Sequence, residues 1–94
     1  MKRYISLFRF TEQGAKAIKK STERARAFAA AAAKARVKIE GQYWTVGSRD
    51  GVLIMSAECE KDAVRLLVAL AAAGNLETET LQAFDAEEFE AIAK

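Results

Sequence analysis

The chain contains no proline, no histidine and a single cysteine in 94 residues. Without histidine there is no ordinary proton shuttle at neutral pH. Imidazole metal sites and Ser-His-Asp or Cys-His catalysis are excluded as well. One cysteine cannot close an internal disulfide. Cys59 lies between Glu58 and Glu60, where flanking carboxylates make a poor nucleophile. A lone thiol fits a reducing cytoplasm, which is the expected localisation. No apolar stretch resembles a signal core or is long enough to cross a bilayer. The alanine-rich run at 25–35 is interrupted by Arg26 and followed by Arg36, so it reads as a helix. No membrane partner and no cofactor are expected.

What is present is an apolar half: 51% of residues are hydrophobic, enough for a core and too many for disorder. The length predicts one domain, residues 1–94. A core this small leaves little stability in reserve, and self-association is a common remedy. The net charge of +2 conceals an asymmetry: residues 1–40 hold eleven Lys/Arg and three Asp/Glu, whereas residues 41–94 hold four and ten. Such blocks can attract nucleic acid or pair with each other within one fold or across a dimer. Pairing is favoured, because the basic residues sit at helical spacing and never form a run of five.

Along the chain, Tyr4 to Phe10 alternates as a strand. Thr11 caps a helix start, weakened by Gly14, and Ser21 offers a second cap, so a kink or break is expected near Lys20-Ser21. Thr22 to Ala35 is rich in helix formers, with Phe28 and its alanine neighbours suited to packing on a sheet. Val37–Val46 and Gly51–Ala57 read as strands joined at Gly47-Ser48-Arg49-Asp50-Gly51, which carries an Asp-Gly turn signal. Glu60–Ala73 reads as a helix with Val64, Leu67, Val68, Leu70 and Ala71 at helical spacing, stopped by Gly74-Asn75. Leu76–Phe84 reads as a strand, and Asp85 caps a short helix over 86–93. The order predicts an α+β, ferredoxin-like split βαββαβ fold: a four-stranded antiparallel sheet with a short C-terminal helix. Helices then cover one sheet face and leave the other bare.

Period two assigns side chains to the faces. Ile5 and Leu7 match a helix-covered core. Tyr4, Ser6, Phe8, Trp44, Thr78 and Thr80 are then expected on the open face, rings beside hydroxyls. An open sheet with aromatic rings can serve as an RNA platform. That module needs rings on both central strands, and Val52-Leu53-Ile54-Met55-Ser56-Ala57 has none and no positive charge. The alternative is packing against a second copy, with rings contributing to the joint.

The chain resembles the GYD-domain family. The resemblance is carried nearly end to end by Phe10-Thr11-Glu12-Gln13-Gly14, Ser21 with Arg24, Ala27-Phe28, Tyr43-Trp44-Thr45-Val46-Gly47, Asp50, Gly74-Asn75 and Thr78-Glu79-Thr80-Leu81-Gln82-Ala83-Phe84. The family's Gly-x-Tyr-Asp-like tag falls on Gly47, Arg49 and Asp50, with Arg49 at the tyrosine position. The resemblance implies a ferredoxin-like fold that assembles through its sheets in the manner of dimeric α/β-barrel proteins. It implies no established activity.

Three uses fit these residues. The first is a homodimer or higher oligomer joined through Tyr4, Phe8, Trp44 and Thr78, with a small molecule held near Tyr4, Ser6, Trp44, Arg49, Asp50 and Thr80. The second is a cofactor-free enzyme in the same cleft, with Arg49 holding an anionic group and Asp50 accepting a proton. The residues lean against catalysis, because an Asp-Gly hairpin tip accounts for both side chains. The third is nucleic-acid binding through the basic first helix, which the acidic later helices disfavour.

Overall fold

A computed structural model describes the whole chain, Met1–Lys94. Strand β1 runs Lys2–Phe10 and stops at Thr11, whose side chain accepts the Gly14 amide at 3.1 Å. This cap opens α1, Glu12–Lys16. A 3₁₀ turn, Ile18–Lys20, separates α1 from α2, Ser21–Lys34. The helical stretch is thus broken immediately before Ser21, but Ser21 is the first helical residue rather than a cap: Lys20 holds the cap position and makes no side-chain bond there. Strand β2 spans Val37–Trp44 and β3 spans Gly51–Ala57. Helix α3 covers Glu60–Ala73 and ends on Gly74, whose φ of 80° is the left-handed stop that glycine adopts freely. Strand β4 is Leu76–Ala83. Helix α4, Ala86–Ala93, is opened by a reciprocal cap in which Asp85 and Glu88 each accept the other's amide.

The strand order is β2-β3-β1-β4 with every neighbouring pair antiparallel. This is the expected α+β, ferredoxin-like split βαββαβ arrangement. Helix α2 packs on β2, and α3 packs on β3 and β4. The core lies between this helix layer and the sheet. It joins Ala32 of α2 and Ala63 and Leu66 of α3 to Tyr4, Val37, Leu53, Met55 and Ala57 of the strands. Residues 63, 66, 67 and 70 form the stripe of α3 that faces the sheet. Val64 and Val68 point outward instead, at 48% and 62% exposure.

The register corrects the assignment of the sheet faces. Tyr4 lies opposite Met55, Ser6 opposite Leu53, and Phe8 opposite Gly51. On the other flank Ser6 lies opposite Thr80 and Phe8 opposite Thr78. Residues directly opposed share a face, so Tyr4, Ser6, Phe8, Thr78 and Thr80 all lie beneath the helices. Trp44, opposite Gly51, belongs to the same side. The open face carries Ile5, Leu7, Val52, Ile54, Leu81 and Tyr43. Tyr4, Phe8, Trp44 and Thr78 are therefore not available as open-face interface residues. Both faces of β1 are apolar, so alternation alone cannot orient the strand. The helix layer decides it: Tyr4 and Phe8 are buried beneath the helices, while Ile5 and Leu7 stay partly exposed on the other side. The hydroxyls do not object to burial, because Ser6 and Thr80 bond each other at 2.7 Å.

Candidate functional site

Between the helix layer and the sheet is a half-open cavity of about 380 Å³. Fifteen of its twenty-one lining residues are hydrophobic, so its wall is largely apolar. Phe8, Phe28, Leu53 and Leu66 line it, and Trp44 lines it while remaining 43% exposed. Phe8 can lie flat because residue 51 is glycine: a Cβ there would collide with the Phe8 ring. Ser6, Ser21, Arg24, Gln42, Asn75 and Thr78 are its polar lining. Gln42 is held by a bond from its amide nitrogen to the Ala25 carbonyl at 3.1 Å, and Arg24 by one from Nη1 to the Ala17 carbonyl at 2.9 Å. A volume of this size falls in the range of small-molecule sites.

The expected ligand residues divide into three groups. Ser6 and Trp44 line the cavity, with Thr80 directly behind Ser6. Tyr4 lies in the packed core instead. Arg49 and Asp50 are outside the lining altogether. The structure thus brings Ser6, Thr80 and Trp44 to one place but leaves the hairpin pair elsewhere. Arg24, Phe28 and Gln42 complete the site. Sequence reasoning assigned Phe28 to sheet packing and gave Arg24 no part in the site. The signal that marks them is spacing: Arg24, Ala27, Phe28 and Ala31 recur on one side of α2, and Gln42 alternates with Trp44 on β2.

The hairpin pair has a different employment. Thr45 to Asp50 form a loop closed by Thr45 N to Asp50 O at 2.9 Å and Thr45 Oγ1 to Arg49 O at 2.7 Å. The expected strand to Val46 therefore ends at Trp44. The Asp50 amide donates to Phe8 O at 2.8 Å, and one carboxylate oxygen accepts the Phe10 amide at 2.8 Å. Asp50 thereby bolts the loop to the end of β1. Arg9 adds a bond from Nε to Ser48 O at 3.0 Å. Arg49 does not pair with Asp50 but with Glu79 on β4, at 2.7 Å.

A second bolt sits at the cavity's Asn75 side. Thr11 N donates to Asn75 O at 3.0 Å and Thr11 Oγ1 to Gly74 O at 2.6 Å. Gln13 Nε2 donates to Ala73 O and Asn75 Oδ1, both at 3.0 Å. Gly14 is buried against the Asn75 backbone so closely that any Cβ would strike it. The two short stretches Phe10–Gly14 and Gly74-Asn75 are thus halves of one clasp between β1 and β4.

One buried polar atom has no partner: the Tyr4 hydroxyl. Burial raises its pKa above the ordinary value of 10.0, and the nearby Glu60 and Cys59 push in the same direction. No cluster of three or more His, Cys, Asp or Glu side chains is arranged to hold a metal, and no helix is long and apolar enough to cross a membrane.

The family model of the GYD domain matches residues 4–93, essentially the whole chain, and the protein belongs to that family. No curated protein and no solved structure matches it.

Proposed function

We propose that this GYD-domain chain is a homo-oligomeric binding domain, which joins a second copy through its helix-free sheet face and takes a small molecule between sheet and helices. One observation carries the reading. The sheet has an apolar field on each side but α2 and α3 pack on only one, where they bound the half-open cavity, while the other side is touched only at its edge, where Glu88 of α4 pairs with Arg3.

The second copy is favoured by size and by charge. A four-stranded face of eight-residue strands spans roughly 27 by 19 Å, about 500 Å² in projection. Helix α4 adds to it: Arg3 of the open face pairs with Glu88 at 3.5 Å, while Phe89 and Ile92 remain 58% and 59% exposed. Together these approach the ~800 Å² per partner of a standard interface. The face also mixes both signs, with Arg3 beside Glu40 at 3.7 Å and Arg49 beside Glu79. A self-complementary surface of this kind suits a two-fold joint. The partners in this reading are another copy and a small molecule, with neither nucleic acid nor membrane, and the lone exposed Cys59 fits a cytoplasmic setting.

Oligomeric mass tests it. Ile54→Asp and Leu81→Glu place charges in the open face and are expected to convert the assembly to monomers in light scattering. A wild-type chain that is monomeric at high concentration, or variants of unchanged mass, would sink the assembly.

A further inference from the structure

The cavity carries a single unmatched charge. Among all residues lining the cavity, Arg24 is the only charged one, and no carboxylate lies within 4.0 Å of it. It is half-buried in the first turn of α2, and its bond to the Ala17 carbonyl fixes the guanidinium in place. Arg3, Lys16, Arg49 and Arg65 are the cations that pair with a carboxylate; of the unpaired ones, Arg24 alone lines this cavity. A fixed guanidinium beside an apolar chamber has lost part of its hydration and received no anion in return.

We infer that the cavity binds a monocarboxylate with an aromatic or alkyl body, the carboxylate meeting Arg24 and the body lying among Phe8, Phe28, Trp44 and Leu66. The planar fork of arginine matches the two oxygens of a carboxylate. One guanidinium balances one negative charge, and the remaining lining offers no second cation for a dianion such as a phosphate monoester. Phenylalanine and tryptophan rings on the walls suit a flat body by edge or face contact. Ser6 is fully buried and hydrogen-bonded to Thr80 at 2.7 Å, and it carries no charge, which leaves Arg24 as the group that can balance an anion. This inference rests on the cavity being the binding site.

The experiment compares 2-naphthoate with its neutral isostere 2-naphthamide by calorimetry, on wild type, Arg24→Gln and Phe28→Trp. Wild type is expected to bind naphthoate roughly tenfold tighter than naphthamide, the effect of about 1.4 kcal/mol from one charge-assisted contact. Arg24→Gln brings naphthoate down to the naphthamide affinity. Added salt weakens naphthoate binding to wild type and leaves naphthamide unaffected, a readout that needs no variant. Equal affinity for the two probes in wild type, or a preference that survives Arg24→Gln, overturns the carboxylate assignment while leaving the cavity as a neutral site. Failure of the cavity itself has a separate signature: Phe28→Trp, which fills the chamber, leaves binding of both probes intact, or neither probe binds wild type at all.

Discussion

Replacing Gly14 with alanine sets two physical rules against each other. Gly14 lies within helix α1, where alanine is the better helix former by about 1 kcal/mol. Local propensity alone therefore predicts a gain. The tertiary contact predicts a loss. A Cβ at this position meets the Asn75 carbonyl oxygen head-on and stands 2.9 Å from its carbon and 3.2 Å from its Cα. The obstacle is backbone, which cannot rotate away as a side chain would. The clasp between β1 and β4 must open instead. Overpacking of this sort costs about 1–3 kcal/mol. Opening also stretches the bonds from Thr11 to Asn75 O at 3.0 Å and to Gly74 O at 2.6 Å, each contributing about 1 kcal/mol. The sum, about 3–5 kcal/mol, exceeds the propensity gain, so a net loss of roughly 2–4 kcal/mol is expected. In a domain this size that lowers the melting temperature by something on the order of 10 °C. Urea unfolding at fixed protein concentration measures it, the fixed concentration being needed if the chain self-associates. Ala15→Gly, at an exposed neighbour in the same helix, supplies the pure propensity effect for comparison. A Gly14→Ala variant as stable as wild type, or more so, would refute the clasp.

Three further perturbations read other parts of the structure. Ser6→Ala strands the half-buried Thr80 hydroxyl and Thr80→Val the fully buried Ser6 hydroxyl; each should cost about 1–2 kcal/mol, whereas the double variant costs less than the sum of the singles, and strict additivity in thermal unfolding would show that the pair is not coupled. Tyr4→Phe removes the orphaned hydroxyl and should be neutral or stabilising near neutral pH. Because the native state raises the Tyr4 pKa above 10.0, the folded chain keeps that proton longer than the unfolded one. Stability from this group is fully present below pH 10 and is lost as pH climbs through the higher native value, so wild type should decline more steeply than Tyr4→Phe in alkali. Parallel alkaline curves for the two proteins would contradict that. Asp50→Ala removes the acceptor of the Phe10 amide and should lower stability by about 1–2 kcal/mol, while Asp50→Asn, which keeps an amide oxygen in place, should cost distinctly less; equal losses would mean the bond has no effect.

Local chemistry by itself determined the elements. Thr11 and Asp85 are caps with oxygen acceptors, Ser21 starts a second helix, and Gly74 supplies a left-handed stop, so α3 and α4 fall at the residues the pattern indicates. The strand and helix order is enough to give the ferredoxin-like plan, since few topologies place two crossover helices on one face of four strands. The presence of an uncovered face is legible for the same reason. Its composition is not. Tyr4, Ser6 and Phe8 alternate with Ile5 and Leu7, and either set could face helices; only the partner layer breaks the tie.

The site depended most on what the sequence hides. Ser6, Thr80 and Trp44 do come together, but under the helices, where Ser6 and Thr80 satisfy each other's polarity and Trp44 lines the cavity. Asp50 and Arg49 look alike as a charged tip, yet one fastens the Phe10 amide and the other spans to Glu79, more than two dozen residues away in the chain. Arg24 is one of many basic residues in the first half; its isolation from every carboxylate exists only in three dimensions. Capping, periodicity and turn chemistry act over a few residues and can be read in order along the chain. Face, cavity and charge pairing depend on which distant groups meet, and those distances are set by the packing of helices on the sheet.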